Sequence, residues 1–347
     1  MKIANYEHFI SQNVAPYSAK KIGVYNSSGK RVGGFGLQNL SLPRLGEKLY
    51  SFGALSDIHL QLSTAQADFQ RALTYLNETE DVAFTCICGD LTTEGTAEQF
   101  ETYVEYINAY SADTPVYECT GNHDTYAAGV LGFDGIRKYT GHDLYYNFTK
   151  GEDVFVMFGT QHYGRTDGVH HPFSKESLQW LYETLEANRN KRVILFQHYL
   201  RFDGSGKSYA PWPTGDALGT CTEGTVFKSL MEHYKNVIWF HGHSHMKFIC
   251  QEDCSYANYD RMFGCQSVHI PSLAVTREYM DTSNTYADKY AESEGYLVDV
   301  YANHIVLRGR DFVKSEFLPI AQYCIDTTLQ NIAANTFTDS TGTITTN

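Results

Sequence analysis

The chain has 347 residues, of which 42% are hydrophobic and 19% charged, and its formal net charge is −13. Lys and Arg form no cluster of the kind that long polyanions require, which argues against a nucleic-acid partner but not against a small phosphorylated substrate held by cations. No run of 18 apolar residues occurs, which argues against a membrane-spanning helix. The first residues lack the apolar core of a signal peptide, so we expect a cytoplasmic protein, although a secreted protein trimmed of its signal would look the same.

The N-terminal residues 1–47 are rich in Gly, Ser and Asn and predict an extension with some strand, packed on a main domain at 48–332. Residues 333–347 are polar and predict a mobile tail. Strands are predicted at 49–58, 82–88, 115–120, 144–148, 154–158, 192–197, 237–240, 268–270, 296–300 and 305–307. Helices are predicted at 64–77, 97–110, 175–187 and 225–234. This alternation predicts an α/β fold with two packed, mixed β-sheets flanked by helices.

Polar residues with metal-binding chemistry lie at the carboxyl ends of five of the predicted strands. The first three of these groups are separated from one another by about one strand–helix unit. Because ligands in α/β sheets bind beyond the carboxyl ends of the strands, we expect the five groups to converge at one edge. They are Ser-Asp57-Ile-His59, Gly-Asp90, Gly-Asn122-His123-Asp124, Gln-His198 and His241-Gly-His243-Ser-His245.

These groups supply a mixed set of nitrogen and oxygen ligands. Such a set suits Mn, Fe, Zn or Co better than Mg or Ca, which prefer oxygen alone. The candidate ligands are Asp57, His59, Asp90, Asn122, His198, His243 and His245. They are too many for one ion with open positions, but they suit two ions that share a carboxylate. The sequence therefore predicts a binuclear centre of two divalent or trivalent transition-metal ions (Mn, Fe or Zn).

The blocks Asp-x-His, Gly-Asp, Gly-Asn-His-Asp, a single His and Gly-His-x-His, in this order, resemble the calcineurin-like metallophosphoesterase family over residues 50–310. The resemblance implies a four-layer α/β/β/α sandwich and a metal-dependent phosphoesterase that cleaves a phosphodiester with a hydroxide bridging the metals. Asp90 would bridge the two ions. His123 would contact the phosphoryl group and protonate the leaving oxygen, so it should not be a ligand itself. The other assignments are Asp57, His59 and His245 to the first metal and Asn122, His198 and His243 to the second.

Two subclasses of this family are disfavoured by departures from their patterns. Purple acid phosphatases place Tyr three residues after the bridging Asp, where this chain has Thr93. Protein Ser/Thr phosphatases have Gly-Asp-x-x-Asp-Arg-Gly at that block and Glu at the position of Asp124. The remaining resemblance is to bacterial phosphodiesterases of the cyclic-nucleotide and glycerophosphodiester type. A phosphomonoesterase, a nucleotide pyrophosphatase and a non-catalytic metal-binding scaffold stay as alternatives, and the partner that orients His123 is not indicated.

Other polar and thiol side chains have weaker patterns. His241 falls outside the family pattern, and we expect it to pack or to support a ligand from behind. Cys86 and Cys88 lie in an apolar strand and are predicted to be buried thiols. Cys250 and Cys254 could form a metal clip or a disulfide, but free thiols at these positions and at Cys265 fit a cytosolic protein better. Residues 126–143 could form a lid. His162 and Trp212 could reach a substrate or only pack their loops.

Overall fold

The structure is a computed structural model that describes residues 22–25, 31–35, 45–125, 132–160, 172–199, 222–248, 259–263, 265–279, 286–289 and 291–328. Several features that the sequence singled out lie outside these described residues. They are His162, Trp212, Cys250, Cys254, the first part of the predicted lid at 126–131 and the tail at 333–347.

The first of two large sheets has six strands in the order β16-β15-β14-β3-β4-β5. Its strands are β3 (Lys48–Leu55), β4 (Thr85–Cys88), β5 (Val116–Cys119), β14 (Glu294–Tyr301), β15 (His304–Asp311) and β16 (Glu316–Asp326). Strands β3, β4 and β5 are parallel, while β14 to β16 add as antiparallel neighbours beside β3. Its two connecting helices are α1 (Ala65–Thr74), followed by a π-helical turn at Tyr75–Thr79, and α2 (Ala97–Tyr110).

The second sheet also has six strands, in the order β10-β11-β9-β8-β7-β6. They are β6 (Tyr145–Lys150), β7 (Asp153–Phe158), β8 (Val193–Phe196), β9 (Val237–His241), β10 (Tyr259–Phe263) and β11 (Cys265–His269). The four central strands are parallel, and the two outer strands are antiparallel to their neighbours. The helices of this half are α4 (Lys175–Ala187) and α5 (Thr222–His233), whereas α3 (Gly132–Thr140) packs on α2 of the first half, with Tyr139 stacked on Phe100.

Two small hairpins accompany the sheets. One pairs β1 (Ile22–Tyr25) with β2 (Arg31–Phe35), within the segment where the sequence predicts some strand. The other pairs β12 (Thr276–Tyr279) with β13 (Tyr286–Lys289). No helix within the described residues is both long and apolar enough to cross a lipid bilayer.

The core of the molecule lies between the two sheets. Phe52 of the first sheet packs edge-on against Phe155 and Phe196 of the second, with ring centroids 5.3 and 6.4 Å apart. Each fully buried phenylalanine contributes about 1.5–3 kcal/mol of burial free energy. Separate apolar clusters lie between the first sheet and α1 and α2, and between the second sheet and α4 and α5. These layers confirm the predicted α/β/β/α sandwich of two mixed sheets.

The buried cysteines of the first sheet match their sequence pattern. Cys86 and Cys88 are fully buried free thiols in the layer between the sheets, as predicted. Burial raises the pKa of both thiols well above the ordinary value, so they remain protonated and apolar in character.

Candidate metal centre

The seven predicted ligands lie where the carboxyl ends of the two sheets meet. Asp57 and His59 follow β3, Asp90 follows β4 and Asn122 follows β5. The second sheet contributes the ligands that follow β8 and β9, namely His198, His243 and His245. None of the seven residues is more than 6% exposed. Buried polar groups of this kind require partners, which are either hydrogen-bonding groups or cations.

The ligand atoms form two groups, each with all of its atoms within 4.8 Å of one another. One group contains Asp57, His59, Asp90 and His245, and the other contains Asp90, His198 and His243. Asp90 belongs to both groups, which is the position that a bridging carboxylate requires. For these six Asp and His residues, the division is the one that the family resemblance implies.

Asn122 lies between Gly121 and His123, whose main chains both contact the Asp90 carboxylate. Its Oδ1 is buried and accepts no hydrogen bond from any described residue. A buried amide oxygen without a partner costs about 1–3 kcal/mol, and coordination of a cation removes that cost. The buried cluster of carboxylates, imidazoles and one amide oxygen therefore fits two transition-metal ions.

Two of the imidazoles are oriented through main-chain carbonyls. His198 Nδ1 lies 2.7 Å from the Cys88 oxygen, and His245 Nδ1 lies 3.1 Å from the Val275 oxygen. A carbonyl oxygen only accepts, so each Nδ1 carries a proton and donates it. Each Nε2 is then directed at the carboxylates, 3.1 Å from Asp90 Oδ2 for His198 and 3.0 Å from Asp57 Oδ1 for His245. This arrangement is typical of metal-binding histidines.

The cluster strongly favours positive charge. Burial alone would lower the pKa of His198, but the carboxylates of Asp90 and Asp57 raise this pKa to about 10. Burial likewise would raise the pKa of Asp57, but the imidazoles of His245 and His198 bring it below the ordinary value. A proton or a metal ion at the Nε2 atoms of His198 and His245 supplies the positive charge that the buried carboxylates of Asp57 and Asp90 require. Burial lowers the pKa of His59 to about 3, so its imidazole is neutral, as coordination requires.

The backbone at the ligands is strained. Seven non-glycine residues in the described part of the chain have left-handed backbone angles, and five of them are predicted ligands. Each such angle costs about 1–3 kcal/mol and persists only where surrounding structure fixes it. The five are Asp57 (φ 52°), His59 (φ 40°), Asp90 (φ 53°), His243 (φ 72°) and His245 (φ 59°). This concentration of strain is independent support for a functional site.

Two glycines allow the main chain to approach the carboxylates. A Cβ on Gly242 would collide with the Asp57 carboxylate and the Ser56 hydroxyl, and a Cβ on Gly121 would collide with the Asp90 carboxylate. Glycine is needed at both positions because nothing larger than a hydrogen fits there. At Gly242 glycine is required because the main chain lies so close to Ser56 and Asp57.

His123 lies beside the cluster. Its side chain is half-buried, and its ring meets the ring of His59 edge-on with centroids 4.6 Å apart. Its Nδ1 lies 2.8 Å from the main-chain oxygen of Thr93 and donates to it, while its main-chain N–H donates to Asp90 Oδ1 at 2.9 Å. The sequence did not indicate which group orients the His123 ring, and the structure shows that the Thr93 main-chain carbonyl does so.

Two side chains that support Asp57 were not predicted from the sequence, those of Ser56 and Ser272. Ser56 Oγ lies 2.6 Å from Asp57 Oδ2, and the main-chain N–H of His243 donates to the same oxygen at 3.0 Å. Ser272 Oγ donates to the Asp57 main-chain oxygen at 3.0 Å. Ser56 adjoins a predicted ligand and could have been noticed, whereas Ser272 is far away in sequence and gives no signal.

Comparisons with known proteins agree with this geometry. A family model described as calcineurin-like phosphoesterase matches residues 50–247. No curated protein matches the chain. Among solved structures, "GAP50 the anchor in the inner membrane complex of Plasmodium" is 12% identical, with coverage of 83% of this chain and 91% of that chain and a TM-score of 0.54. This similarity shows a shared fold.

Two further structures give weaker matches. A predicted phosphoesterase from Streptococcus pneumoniae is 10% identical over 80% of this chain and 97% of that chain, with a TM-score of 0.37. Vacuolar Protein Sorting 29 from Cryptosporidium parvum is 12% identical over 81% of this chain and 100% of that chain, with a TM-score of 0.38. Because the family model spans more than half of the sequence, the chain belongs to the calcineurin-like phosphoesterase family of metal-dependent phosphoesterases.

Proposed function

We propose that this protein hydrolyses a small phosphodiester at a centre of two transition-metal ions, with His123 as the residue that contacts the phosphoryl group. The observation that carries the proposal is the pair of buried ligand groups that share Asp90. Two ions side by side activate a water and offset negative charge on the attacking and leaving oxygens. The proposed ligands are Asp57, His59 and His245 for one ion, Asn122, His198 and His243 for the other, and Asp90 for both.

The surroundings of His123 support its role as a proton donor. Donation from Nδ1 to the Thr93 oxygen fixes one edge of the ring, and Nε2 occupies the opposite edge. A protonated imidazole held in this way can deliver its Nε2 proton to a leaving oxygen, which contributes about 10²–10⁴-fold in rate. The contribution is largest for alkoxide leaving groups, because these depart poorly without a proton.

The loop after the bridging carboxylate supports a diester substrate. In protein Ser/Thr phosphatases this block contains Asp-Arg-Gly, and a guanidinium suits the doubly charged phosphoryl group of a monoester. Here the corresponding residues are Thr93, Glu94 and Gly95, which bring no cation. A diester carries a single negative charge and has less need of such a clamp.

The test uses the protein reconstituted separately with Mn, Fe and Zn, with bis(p-nitrophenyl) phosphate and p-nitrophenyl phosphate as matched substrates. We expect a higher kcat/KM for the diester. Asp90→Ala should abolish turnover and lower the metal content, because it removes the shared ligand. His123→Ala should leave the metal content unchanged. It should lower kcat by about 10²–10⁴-fold for a diester with an alkyl leaving group, and by less for these p-nitrophenyl substrates, whose leaving group needs little protonation.

Other outcomes would favour other functions. Faster cleavage of the monoester would indicate a phosphomonoesterase, and faster cleavage of a dinucleotide pyrophosphate would indicate a nucleotide pyrophosphatase. Loss of metal from His123→Ala would contradict the division of roles between His123 and the ligands.

A function of another class is a non-catalytic metal-binding scaffold. The Plasmodium GAP50 structure is described as an anchor, so the shared fold also occurs in a protein with that description. The complete set of buried ligand atoms together with His123 favours catalysis in this chain. Two equivalents of bound metal without turnover of any ester would favour the scaffold instead.

A further inference from the structure

Asp124 is a buried carboxylate, 4% exposed, that directly follows His123 and has no place among the proposed ligands. Its Oδ2 accepts hydrogen bonds from the main-chain N–H groups of Leu91 at 3.2 Å and Gly121 at 2.9 Å. Its Oδ1 accepts from both the main-chain N–H and the hydroxyl of Thr92, each at 2.9 Å. These four bonds fill the accepting capacity of a carboxylate. Asp124 therefore joins the loop after β4 to the turn after β5.

The same contacts fix the loop in the next residues. Thr92 Oγ1 accepts from the main-chain N–H of Gly95 at 3.0 Å, and Gly95 packs so closely on the Asp124 main chain that a Cβ would collide with it. Between these anchored positions lies Thr93, whose oxygen accepts the Nδ1 proton of His123. The atom that holds the His123 ring thus sits in a segment whose position Asp124 sets.

We propose that Asp124 is a positioning residue for His123 and acts through Thr92 and the Thr93 carbonyl. In many enzymes a carboxylate contacts the imidazole directly and holds its tautomer and orientation. Here the carboxylate anchors a peptide group, and the peptide oxygen receives the imidazole proton. The proposed contribution to catalysis rests on the proposed function of His123, whereas the structural link between Asp124 and His123 does not.

The first experiment measures the link without a substrate. In zinc-loaded protein, NMR of the imidazole groups follows solvent exchange of the His123 Nδ1 proton. Asp124→Asn turns one acceptor into a donor, and Thr92→Val removes the hydroxyl with little change of shape, so we expect both to speed this exchange by about tenfold or more. Thr92→Ser keeps the hydroxyl, so the His123 Nδ1 proton should exchange more slowly in this variant than in Thr92→Val.

A matched control is Asp311→Asn, because Asp311 is also buried and accepts main-chain hydrogen bonds, from Val313 at 2.9 Å and Lys314 at 3.0 Å. This variant should leave the exchange of the His123 proton unchanged. Unchanged exchange in both Asp124→Asn and Thr92→Val would overturn the proposal, whether or not the protein hydrolyses any ester. If Asp124→Asn fails to fold, Thr92→Val still decides.

The second experiment measures kcat and KM for diesters that differ in the basicity of the leaving group. If Asp124 acts through His123, Asp124→Asn should lower kcat about tenfold or more for an alkyl leaving group and far less for p-nitrophenolate, with KM and metal content unchanged. Added to His123→Ala, it should cause no further loss. An equal loss for every leaving group, or an additive loss in the double variant, would overturn the catalytic part. Wild-type protein without turnover would contradict the proposed function alone, because the exchange measurement would still stand.

Discussion

The three histidines of the His-Gly-His-Ser-His run have different surroundings although they lie within five residues. His243 belongs to the ligand group with Asp90 and His198, and His245 belongs to the group with Asp57 and His59. His241 lies outside both groups. Its Nε2 is 3.1 Å from Ser267 Oγ, and its ring packs against Trp239 with centroids 4.9 Å apart. Packing is one of the two roles that its position outside the family pattern predicts.

Metal analysis of single variants tests these assignments. We expect His243→Ala and His245→Ala each to lose about one of the two metal equivalents, because each removes a ligand of a different ion. His241→Ala should keep both equivalents per folded molecule, although the buried cavity lowers its stability. Metal loss from His241→Ala, or retention of both ions by the other two variants, would contradict the assignment.

At the scale of single residues, the sequence predicts which side chains meet, because each ligand type and its order recur in a known pattern. It does not predict how the main chain presents them. Asp57 and Asp90 adopt left-handed backbone angles, which Asp shows more often than most residues but only at a minority of positions, so residue identity alone does not predict them. The hydrogen-bond partner of His123 could not be predicted from the sequence either, because every residue type has a main-chain oxygen.

At the scale of elements, the position of the loop after β9 depends on a glycine, Gly242, which has no side chain. Gly242 lies against Ser56 and the Asp57 carboxylate, so the loops after β3 and β9 touch at this point. Gly242→Ala should displace the Asp57 carboxylate and weaken metal binding by tenfold or more, as judged by titration with zinc.

The control for this variant is Gly151→Ala in the turn between β6 and β7. Gly151 has a left-handed φ of 60°, but a Cβ at this position would have no neighbouring atom within 4 Å. Alanine there therefore costs about 1–2 kcal/mol of backbone strain without touching the centre. We expect its zinc affinity to equal that of the wild type. Equal affinity of Gly242→Ala and wild type would show that the loop can adjust.

Of the five α-helices in the described residues, α2 and α4 were predicted most precisely, whereas α3 was not predicted. The predictions for α2 and α4 match the structure to the residue, because their N-caps are local signals: the side chains of Thr96 and Ser174 accept from the first turn. The strand predicted to reach residue 58 ends at Leu55, since the chain leaves the sheet to present Asp57. Strand β16 was not predicted because it contains a proline, which an edge strand tolerates.

At the scale of the whole molecule, one buried carboxyl group links stability to pH. Glu294 is 2% exposed, and its Oε2 accepts from the main-chain N–H of Phe248 at 2.7 Å. Burial raises its pKa from the ordinary 4.5 to about 8. The hydrogen bond from Phe248 opposes this rise, the carboxylates of Glu292 and Asp311 add to it, and Lys247 opposes it least. The folded protein therefore binds this proton more tightly than the unfolded chain does.

The stabilising contribution of Glu294 is fully present below pH 4.5 and is lost as the pH rises through about 8. Urea unfolding of chelator-treated protein should thus show a fall of a few kcal/mol in unfolding free energy across this window. Glu294→Gln keeps an acceptor oxygen and cannot ionise, so its fall should be smaller than that of the wild type. The exposed Glu183→Gln serves as the control, and identical pH profiles for Glu294→Gln and wild type would contradict the prediction.

The way the two sheets share the centre has a consequence for biosynthesis. The ligands of the metal centre follow strands that are far apart in the chain. Strand β3, which leads to Asp57, is flanked on one side by β14. As the chain leaves the ribosome, β3, β4 and β5 emerge long before β14 can take its place beside them. We therefore expect the nascent chain to take up its ions only after nearly all of the domain has been synthesised. Metal loading would then mark a finished molecule.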